Sequence, residues 1–331
     1  MPASNLLQLL QRAATQYPDK GLTFYKTAPA SDDCVTFIYS DFLKRVERAV
    51  LLLHALRIQP GGIVVIHFDN QLDNLAWFWA AEVAGLLPAL STPFSNDVEQ
   101  RKKHILHLDT LLDRPVWLTK DALLPQFPHP DQVDLRSVES LVPLPRGPNA
   151  EDMTNGSSPG SAAKPEDIAV LMLTSGSTGN AKAVCLTHAN IPDTVAGKSK
   201  AHGTNAETPF FNWIGAEHVA NLTEIHLHAM SVGASQIHAQ ATDVVSDPLS
   251  FLRSIEKHKV AYSFVPNLFL ASVERALRTP AGVDFASSAN LSCLRNIITG
   301  GEAAVFRLVP HPQRHWRRRD VRATSSPQDL A

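Results

Sequence analysis

The sequence predicts an α/β protein of layered, mostly parallel sheets with flanking helices. Short continuous apolar runs alternate with stretches of helical periodicity along most of the 331 residues. The runs at 63–66 and 168–173 are typical of strands buried on both faces of a parallel sheet. Between residues 63 and 118 the patterns follow one another as strand, helix and strand, which is the order of βαβ units.

The predicted elements fall into two groups along the chain. The first group has helices at 5–16, about 41–56, 72–84 and 97–108, and strands at 35–39, 63–66, 87–90 and 116–118. The second has strands at 168–173, 183–186, 260–265 and 294–298, and helices that begin near 188 and lie at 217–230 and 268–277. Eight prolines between 125 and 165 separate the two groups.

This pattern predicts four segments. Residues 1–124 form a first α/β subdomain, and 125–166 form a Pro-rich loop or linker. Residues 167–302 form a second α/β subdomain, and 303–331 form a basic, unstructured tail. The tail carries six arginines against two aspartates, a local charge of +4, which leaves −6 on the rest of a chain whose net charge is −2.

Composition excludes several classes of protein. The chain is 44% hydrophobic and 19% charged, enough apolar surface for a sizeable core, and a net charge of −2 predicts neither nucleic acid nor membrane as a partner. Three scattered cysteines predict no disulfide framework or zinc site, and no His-Glu-x-x-His motif accompanies the fourteen histidines. With no secretory signal and no apolar stretch long enough to span a bilayer, we expect a cytoplasmic protein.

The segment 174–182 carries the clearest chemical signal. It places four hydroxyl side chains, two glycines and one lysine between two predicted strands. Hydroxyl and backbone N–H groups can donate hydrogen bonds to phosphate oxygens, and Lys182 adds a positive charge. The spacing is not that of a Walker A loop. Composition alone leaves two interpretations open, a polyphosphate-binding loop or a hairpin loop rich in small polar residues.

The order of these residues, Thr-Ser-Gly-Ser-Thr-Gly-Asn-Ala-Lys, resembles the signature loop of adenylate-forming (AMP-binding) enzymes. That superfamily usually has Pro-Lys where this chain has Ala181-Lys182. The resemblance covers about residues 5–302. This part of the chain is similar to the N-terminal part of the adenylation domains of fungal NRPS-like and PKS-associated enzymes, and to that of acyl-CoA ligases. It implies an incomplete N-terminal domain of the acyl-CoA synthetase-like adenylating fold.

The resemblance also implies the site residues. Lys182 would be the catalytic residue. The phosphate loop would consist of Thr174, Ser175, Gly176, Ser177, Thr178, Gly179 and Lys182. Gly300, Gly301 and Glu302 would lie along the adenine ring. His218 and Val219 would line the substrate pocket. No residue is assigned to a metal, because Mg²⁺ would be bound mainly through ATP.

The implied reaction has two halves. A small carboxylic acid attacks the α-phosphate of Mg-ATP and forms an acyl-adenylate and pyrophosphate. A thiol, from CoA or from the phosphopantetheine of a carrier protein, then takes the acyl group in secondary metabolism. In amino-acid-activating relatives an aspartate at the position of Val219 pairs with the substrate ammonium. A buried ammonium without a counter-charge costs several kcal/mol, roughly, so we expect a substrate without an α-amino group, such as an aryl, keto or fatty acid.

Three family features do not follow Glu302: the Tyr-Gly-x-Thr-Glu motif of the magnesium site, the ribose-binding aspartate and the lysine of the C-terminal domain. We therefore expect a truncated chain with little ligase activity, since losing one preorganised charge contact typically costs about 10²–10³ in rate. Two alternatives remain. One is a catalytically inactive nucleotide-binding pseudoenzyme or fragment, and the other is a protein that binds a partner or nucleic acid through its Arg-rich tail.

Overall fold

The computed structural model describes residues 5–143, 163–174 and 181–300, which form two six-stranded sheets and ten α-helices. The helices are α1 (Leu6–Gln16), α2 (Tyr39–Ala55), α3 (Gln71–Val83), α4 (Val98–Leu111), α5 (Asn190–His202), α6 (Leu227–Val232), α7 (Ala241–Ser246), α8 (Pro248–His258), α9 (Asn267–Leu277) and α10 (Pro280–Ser288). The strands are β1 (Gly21–Tyr25), β2 (Cys34–Ile38), β3 (Ile63–Ile66), β4 (Leu87–Leu90), β5 (Val116–Thr119), β6 (Asp134–Ser137), β7 (Ile168–Thr174), β8 (Lys182–Thr187), β9 (Phe210–Asn212), β10 (Gln236–His238), β11 (Tyr262–Phe264) and β12 (Asn296–Ile298).

The first sheet has the strand order β6-β5-β3-β4-β7-β8. Neighbouring strands are parallel except at one edge, where β8 runs antiparallel to β7. At its centre Ile66 lies beside Leu90 on one side and Leu118 on the other. Helix α3 connects β3 to β4, and α4 connects β4 to β5, so the apolar runs of these strands are covered and shielded from solvent.

The second sheet has the order β12-β11-β9-β10-β1-β2 and is also parallel except at the edge pair β1–β2. Its strands come from distant parts of the chain: Leu22 of β1 lies beside Gln236 of β10. Strand β9 lies between β10 and β11, with Phe210 beside both Gln236 and Tyr262.

Helix α3 joins the two sheets. The largest apolar cluster contains residues of α1, α2 and α3 together with Leu22 of the second sheet and Ile66 of the first. Residues on every side of α3 are buried, including Trp79, as expected of a helix enclosed by core. The buried indole N–H of Trp79 donates a hydrogen bond to His226 Nε2 at 2.8 Å, which ties α3 to the segment between β9 and β10. The helix begins at a cap in which Asn70 Oδ1 accepts from the N–H of Asp73 at 2.8 Å.

The structure confirms the predicted fold class of layered, mostly parallel sheets with flanking helices. The segment predicted as a Pro-rich loop contains strand β6 and two short 3₁₀ helices, Pro130–Gln132 and Val138–Ser140, among its described residues. The division into subdomains at 125–166 stays a prediction, and each sheet takes strands from both sides of it. The tail at 303–331 lies outside the described residues. None of the described helices is long and apolar enough to cross a membrane.

Candidate active site

A cavity of about 1030 Å³ opens where the two sheets meet. Most of its walls come from residues that end or follow seven strands at their carboxyl ends, namely β3, β4, β5, β9, β10, β11 and β12. Arg101 of α4 and Lys198 of α5 complete them. Open α/β sheets bind ligands at this edge, because the loops there converge on a crevice that the strands leave uncovered. The cavity is therefore the candidate binding site.

The loop after β9 forms one wall and is held by a buried amide network. The carbonyl of Ile214 accepts hydrogen bonds from the side-chain amides of Gln71 (2.7 Å), Asn212 (3.0 Å) and Asn221 (2.7 Å). Asn221 also donates to Gln71 Oε1 at 3.0 Å. All three amides are buried, so leaving any of their groups unpaired would cost free energy and the loop is held in one position.

This loop presents His218 and Val219 to the cavity, as the sequence predicts for substrate-pocket residues. The His218 side chain is 62% exposed, and its Nε2 lies 3.6 Å from Glu217 Oε1. Val219 is 54% exposed, so both residues stand at the opening. Glu217 is buried behind them, and burial raises the pKa of its carboxyl group.

The next element is a π-helical segment, Ala220–His226, that leads into α6. π-Helical turns are rare and occur frequently at functional sites. From the opening inward, Val219, Ala220, Thr223 and Glu224 all line the cavity, while Thr223 Oγ1 donates back to the carbonyl of Val219 at 2.9 Å. The segment was predicted only as part of an ordinary helix, because no local sequence signal marks π-helical hydrogen bonding.

Glu224 and Lys198 form a partly buried ion pair in the cavity wall. Their side chains are 11% and 25% exposed, and the second oxygen of Glu224 accepts a hydrogen bond from the Tyr262 hydroxyl. The sequence analysis missed these residues, since they lie on separate elements whose packing no short motif encodes.

A second group that the sequence analysis missed surrounds His67, directly after β3. Its Nδ1 lies 3.2 Å from Ser91 Oγ, its Nε2 lies 3.4 Å from Gln126 Oε1, and Phe94 stacks on the ring at 3.8 Å. Burial lowers the pKa of His67 to about 4, so the ring is neutral near pH 7. A polar residue at the end of a predicted parallel strand was the signal that could have found it.

The phosphate-loop prediction is only partly within the described residues. Thr174 ends β7 and Lys182 begins β8, and the two are paired across the hairpin, with Thr174 Oγ1 3.5 Å from the Lys182 carbonyl oxygen. At the base of the loop, His107 Nε2 donates to the carbonyl of Ala181 at 2.8 Å. Neither Thr174 nor Lys182 is among the described residues that line the cavity. Ser175, Gly176, Ser177, Thr178 and Gly179 lie outside the described residues.

Gly300 follows β12 and lines the cavity, whereas Gly301 and Glu302 lie outside the described residues. A Cβ added at Gly300 would stand 3.6 Å from the ring of Phe264. Gly300 is therefore adjacent to an aromatic ring at the cavity, and its place along adenine stays a prediction. The described residues contain no group of three or more metal-ligating side chains.

Fold, cavity and loop order together define the class of adenylate-forming enzymes. The chain belongs to the AMP-binding enzyme family, whose family model matches residues 10–318 and so extends into the segment predicted as a tail. Members of this family use ATP, generally with Mg²⁺.

Curated relatives are fungal. The chain is 42% identical over 306 residues to nonribosomal peptide synthetase acyN of Ascocoryne sarcoides, covering 92% of this chain and 32% of that protein. It is 41% identical over 323 residues to microperfuranone synthase of Emericella nidulans, covering 96% of this chain and 33% of the relative. The chain thus spans about a third of the length of these relatives.

Solved structures have the same fold. An adenylation domain of a keto acid-selecting NRPS module, bound to keto acyl adenylate, is 25% identical with a TM-score of 0.77, covering 92% of this chain and 55% of that chain. A fatty acyl-adenylate ligase from L. pneumophila, in complex with acyl adenylate and pyrophosphate, has a TM-score of 0.75 at 21% identity, covering 91% and 50%. The predicted N-terminal adenylating fold is confirmed.

Proposed function

We propose that this chain binds ATP and a carboxylic acid without an α-amino group, for activation of the acid as an acyl-adenylate and transfer to the thiol of CoA or a carrier protein. The observation that carries the proposal is Val219 at the opening of the cavity, where amino-acid-activating relatives have an aspartate. The family membership supports the adenylation chemistry, and the cavity wall supports the substrate class.

The charges around the cavity favour the same substrate class. Three carboxylates line the cavity among the described residues, Asp69, Glu217 and Glu224. Asp69 pairs with Lys120 at 2.6 Å, and Glu224 pairs with Lys198. Burial raises the pKa of Glu217, whose Oε1 lies 3.6 Å from His218 Nε2. Two of the three carboxylates are thus already paired with a lysine, and a buried ammonium without a counter-charge costs several kcal/mol, roughly.

In the proposed reaction a carboxylate oxygen of the acid attacks the α-phosphorus of ATP. A C–O–P bond forms and the bond from the α-phosphorus to the pyrophosphate oxygen breaks. Thr174, Ser175, Ser177, Thr178 and Lys182 hold the β- and γ-phosphates as negative charge develops on the leaving pyrophosphate, with Gly176 and Gly179 giving the backbone room to approach. Gly300, Gly301 and Glu302 lie along adenine, and His218 stands at the entrance for the acid. Catalysis then rests on positioning and charge stabilisation.

One solved structure supports this substrate class by what it binds, the keto acid-selecting adenylation domain with its keto acyl adenylate. The keto acid shares with simple carboxylic acids the lack of an α-ammonium group. By the argument from charge, an acid of this class needs no counter-charge at Val219.

A matched pair of stable adenylate analogues tests the proposal. Isothermal titration calorimetry measures binding of 3-phenylpropanoyl-sulfamoyladenosine and phenylalanyl-sulfamoyladenosine, which differ only by the α-ammonium group. We expect the analogue without the ammonium to bind at least about tenfold more tightly, since tenfold corresponds to about 1.4 kcal/mol. Equal binding, or preference for the phenylalanyl analogue, would refute the substrate class.

ATP–pyrophosphate exchange then separates an active ligase from the alternative of a nucleotide-binding protein. Exchange that depends on a simple carboxylic acid supports activation. Binding of the analogue without any exchange over a panel of aryl, keto and fatty acids favours the nucleotide-binding alternative.

A further inference from the structure

The Lys198–Glu224 pair is an unusual feature of the cavity wall. Lys198 comes from α5 and Glu224 from the π-helical segment, about one turn further in than the exposed Val219. Both side chains line the cavity, and their charged ends are in direct contact. The pair therefore lies on the inner part of the wall that begins at the substrate opening.

Both oxygens of Glu224 are occupied. One pairs with Lys198 Nζ and the other accepts from the Tyr262 hydroxyl, which is itself 2.8 Å from His202 Nδ1. Burial alone would raise the pKa of Glu224, but the Lys198 ammonium and the two hydrogen bonds hold it below its ordinary value. Glu224 thus stays ionised, and each of its oxygens already accepts one hydrogen bond.

Lys198 is different. An ammonium group has three N–H donors, and one of them is used by Glu224. No second acceptor for Nζ lies within hydrogen-bonding distance in the described part of the chain. Lys198 therefore has N–H donors available for a ligand in the cavity, although the ion pair as a whole has no net charge.

The pair has polar neighbours on its protein side, the Tyr262 hydroxyl and the side chains of His202 and His228. The cavity that it lines also has apolar lining residues, Phe264 and Ile298. A partly buried ammonium in such a cavity suits a ligand with an apolar body and a polar end, because a donor that is left unpaired discriminates against ligands that cannot accept from it.

We propose that Lys198 donates a hydrogen bond to a hydroxyl or carbonyl oxygen at the end of the acyl group remote from its carboxylate. The site would then select acids with such a polar end over acids that are apolar throughout. Glu224 acts as a positioning residue that fixes the ammonium, and Tyr262 fixes Glu224. This inference deepens the proposed function and rests on it.

The test uses acyl-sulfamoyladenosines in matched pairs. Butanoyl, hexanoyl and octanoyl analogues are compared by calorimetry with their ω-hydroxy counterparts, so that chain length reports the distance to the donor. We expect the wild-type chain to prefer the hydroxy analogue about tenfold at one or more lengths, the effect of one hydrogen bond to a charged donor. The preference should disappear in Lys198→Met.

Two further variants serve as controls. Lys198→Met/Glu224→Gln removes both charges, so no carboxylate is left without its ammonium, and it should lose the preference in the same way. Lys200 is exposed on the same helix, so the variant Lys200→Met should keep the preference for the hydroxy analogue. Circular dichroism checks that each variant is folded, and the wild-type comparison needs no variant at all.

The outcomes separate the two proposals. If the wild-type chain binds plain and hydroxy analogues equally at every length, the role of Lys198 is refuted while the proposed function stands. A preference that survives in Lys198→Met refutes it as well. If the wild-type chain binds none of the analogues, the proposed function fails and this inference fails with it.

Discussion

Replacing the buried Glu82 with glutamine should stabilise the protein increasingly as the pH rises. Glu82 lies in α3 within the core, and its Oε1 has no hydrogen-bond partner among the described residues. Its Oε2 is 4.0 Å from His188 Nε2. The other ring nitrogen of His188 accepts from the N–H of Leu6 at 3.3 Å, so Nε2 carries the proton of the neutral ring. Burial raises the pKa of Glu82 well above its ordinary value and lowers that of His188, so burial favours the neutral form of both groups.

The size of the effect follows from proton linkage. The folded state keeps the Glu82 proton at pH values where the unfolded chain, with an ordinary pKa of 4.5, has released it. The free energy of unfolding therefore falls as the pH rises above 4.5, by up to about 1.4 kcal/mol per pH unit, and levels off once the folded protein also releases the proton. His188 acts in the opposite direction, because its depressed pKa removes stability only as the pH falls below 6.5.

Urea unfolding of the wild-type chain and Glu82→Gln at half-unit steps between pH 5 and pH 8.5 measures the difference. Glutamine does not titrate, so the free energy of unfolding of the variant should rise relative to that of the wild type across this range. Above pH 6.5 the change of this difference with pH reflects the titration of Glu82 without that of His188. Glu166→Gln removes an exposed carboxylate and serves as the control, which should follow the wild type. Parallel curves for the wild type and Glu82→Gln would refute a protonated buried Glu82.

Three further substitutions have definite expected outcomes. Trp79→Phe removes the hydrogen bond to the buried His226 and should lower the free energy of unfolding in urea by about 1–3 kcal/mol beyond the loss of ring volume. Lys182→Ala should weaken ATP binding in calorimetry roughly 10- to 100-fold, if its ammonium contacts the phosphates as proposed. Val219→Asp places a carboxylate at the cavity opening and should shift the relative affinity toward phenylalanyl-sulfamoyladenosine by about tenfold or more, because the ammonium gains a counter-charge.

Two of these substitutions have a matched control, and the third has an outcome that would refute it. Trp213→Phe removes a buried indole N–H that has no partner among the described residues, so it should lack the extra cost of Trp79→Phe, and an equal loss in both would refute the hydrogen-bond argument. Lys164→Ala removes an exposed lysine outside the phosphate loop and should leave ATP affinity unchanged. Unaltered selectivity in Val219→Asp would place the substrate ammonium away from this position.

Local sequence patterns predicted the strands around the phosphate loop closely. The expected strands at 168–173 and 183–186 correspond to Ile168–Thr174 and Lys182–Thr187, because continuous apolar or β-branched runs are strong local signals. The three-residue strands β9 and β10 were missed, since so few residues show no periodicity. Strand β6, with the polar sequence Asp-Leu-Arg-Ser, was also missed, because it is mostly exposed at a sheet edge and needs no apolar run.

The residues of the candidate site were likewise predicted only where a local sequence signal exists. His218, Val219 and Gly300 were predicted from residue order and do line one cavity. His67, Lys198 and Glu224 were not predicted, because their meaning depends on neighbours far along the chain. Lys198 and Glu224 are 26 residues apart, and Tyr262 is a further 38 residues away.

The sequence by itself determined the alternation of strands and helices, the composition of the phosphate loop and the family, because each depends on residues that are close together along the chain. Only the tertiary structure decided which strands share a sheet and which charges face the cavity. Strand β1 pairs with β10 across more than two hundred residues, and Glu224 is held by side chains from α5 and β11. Such contacts arise when the apolar faces of distant segments are buried together, and the burial that assembles the core also perturbs the ionisation of Glu82 and His67.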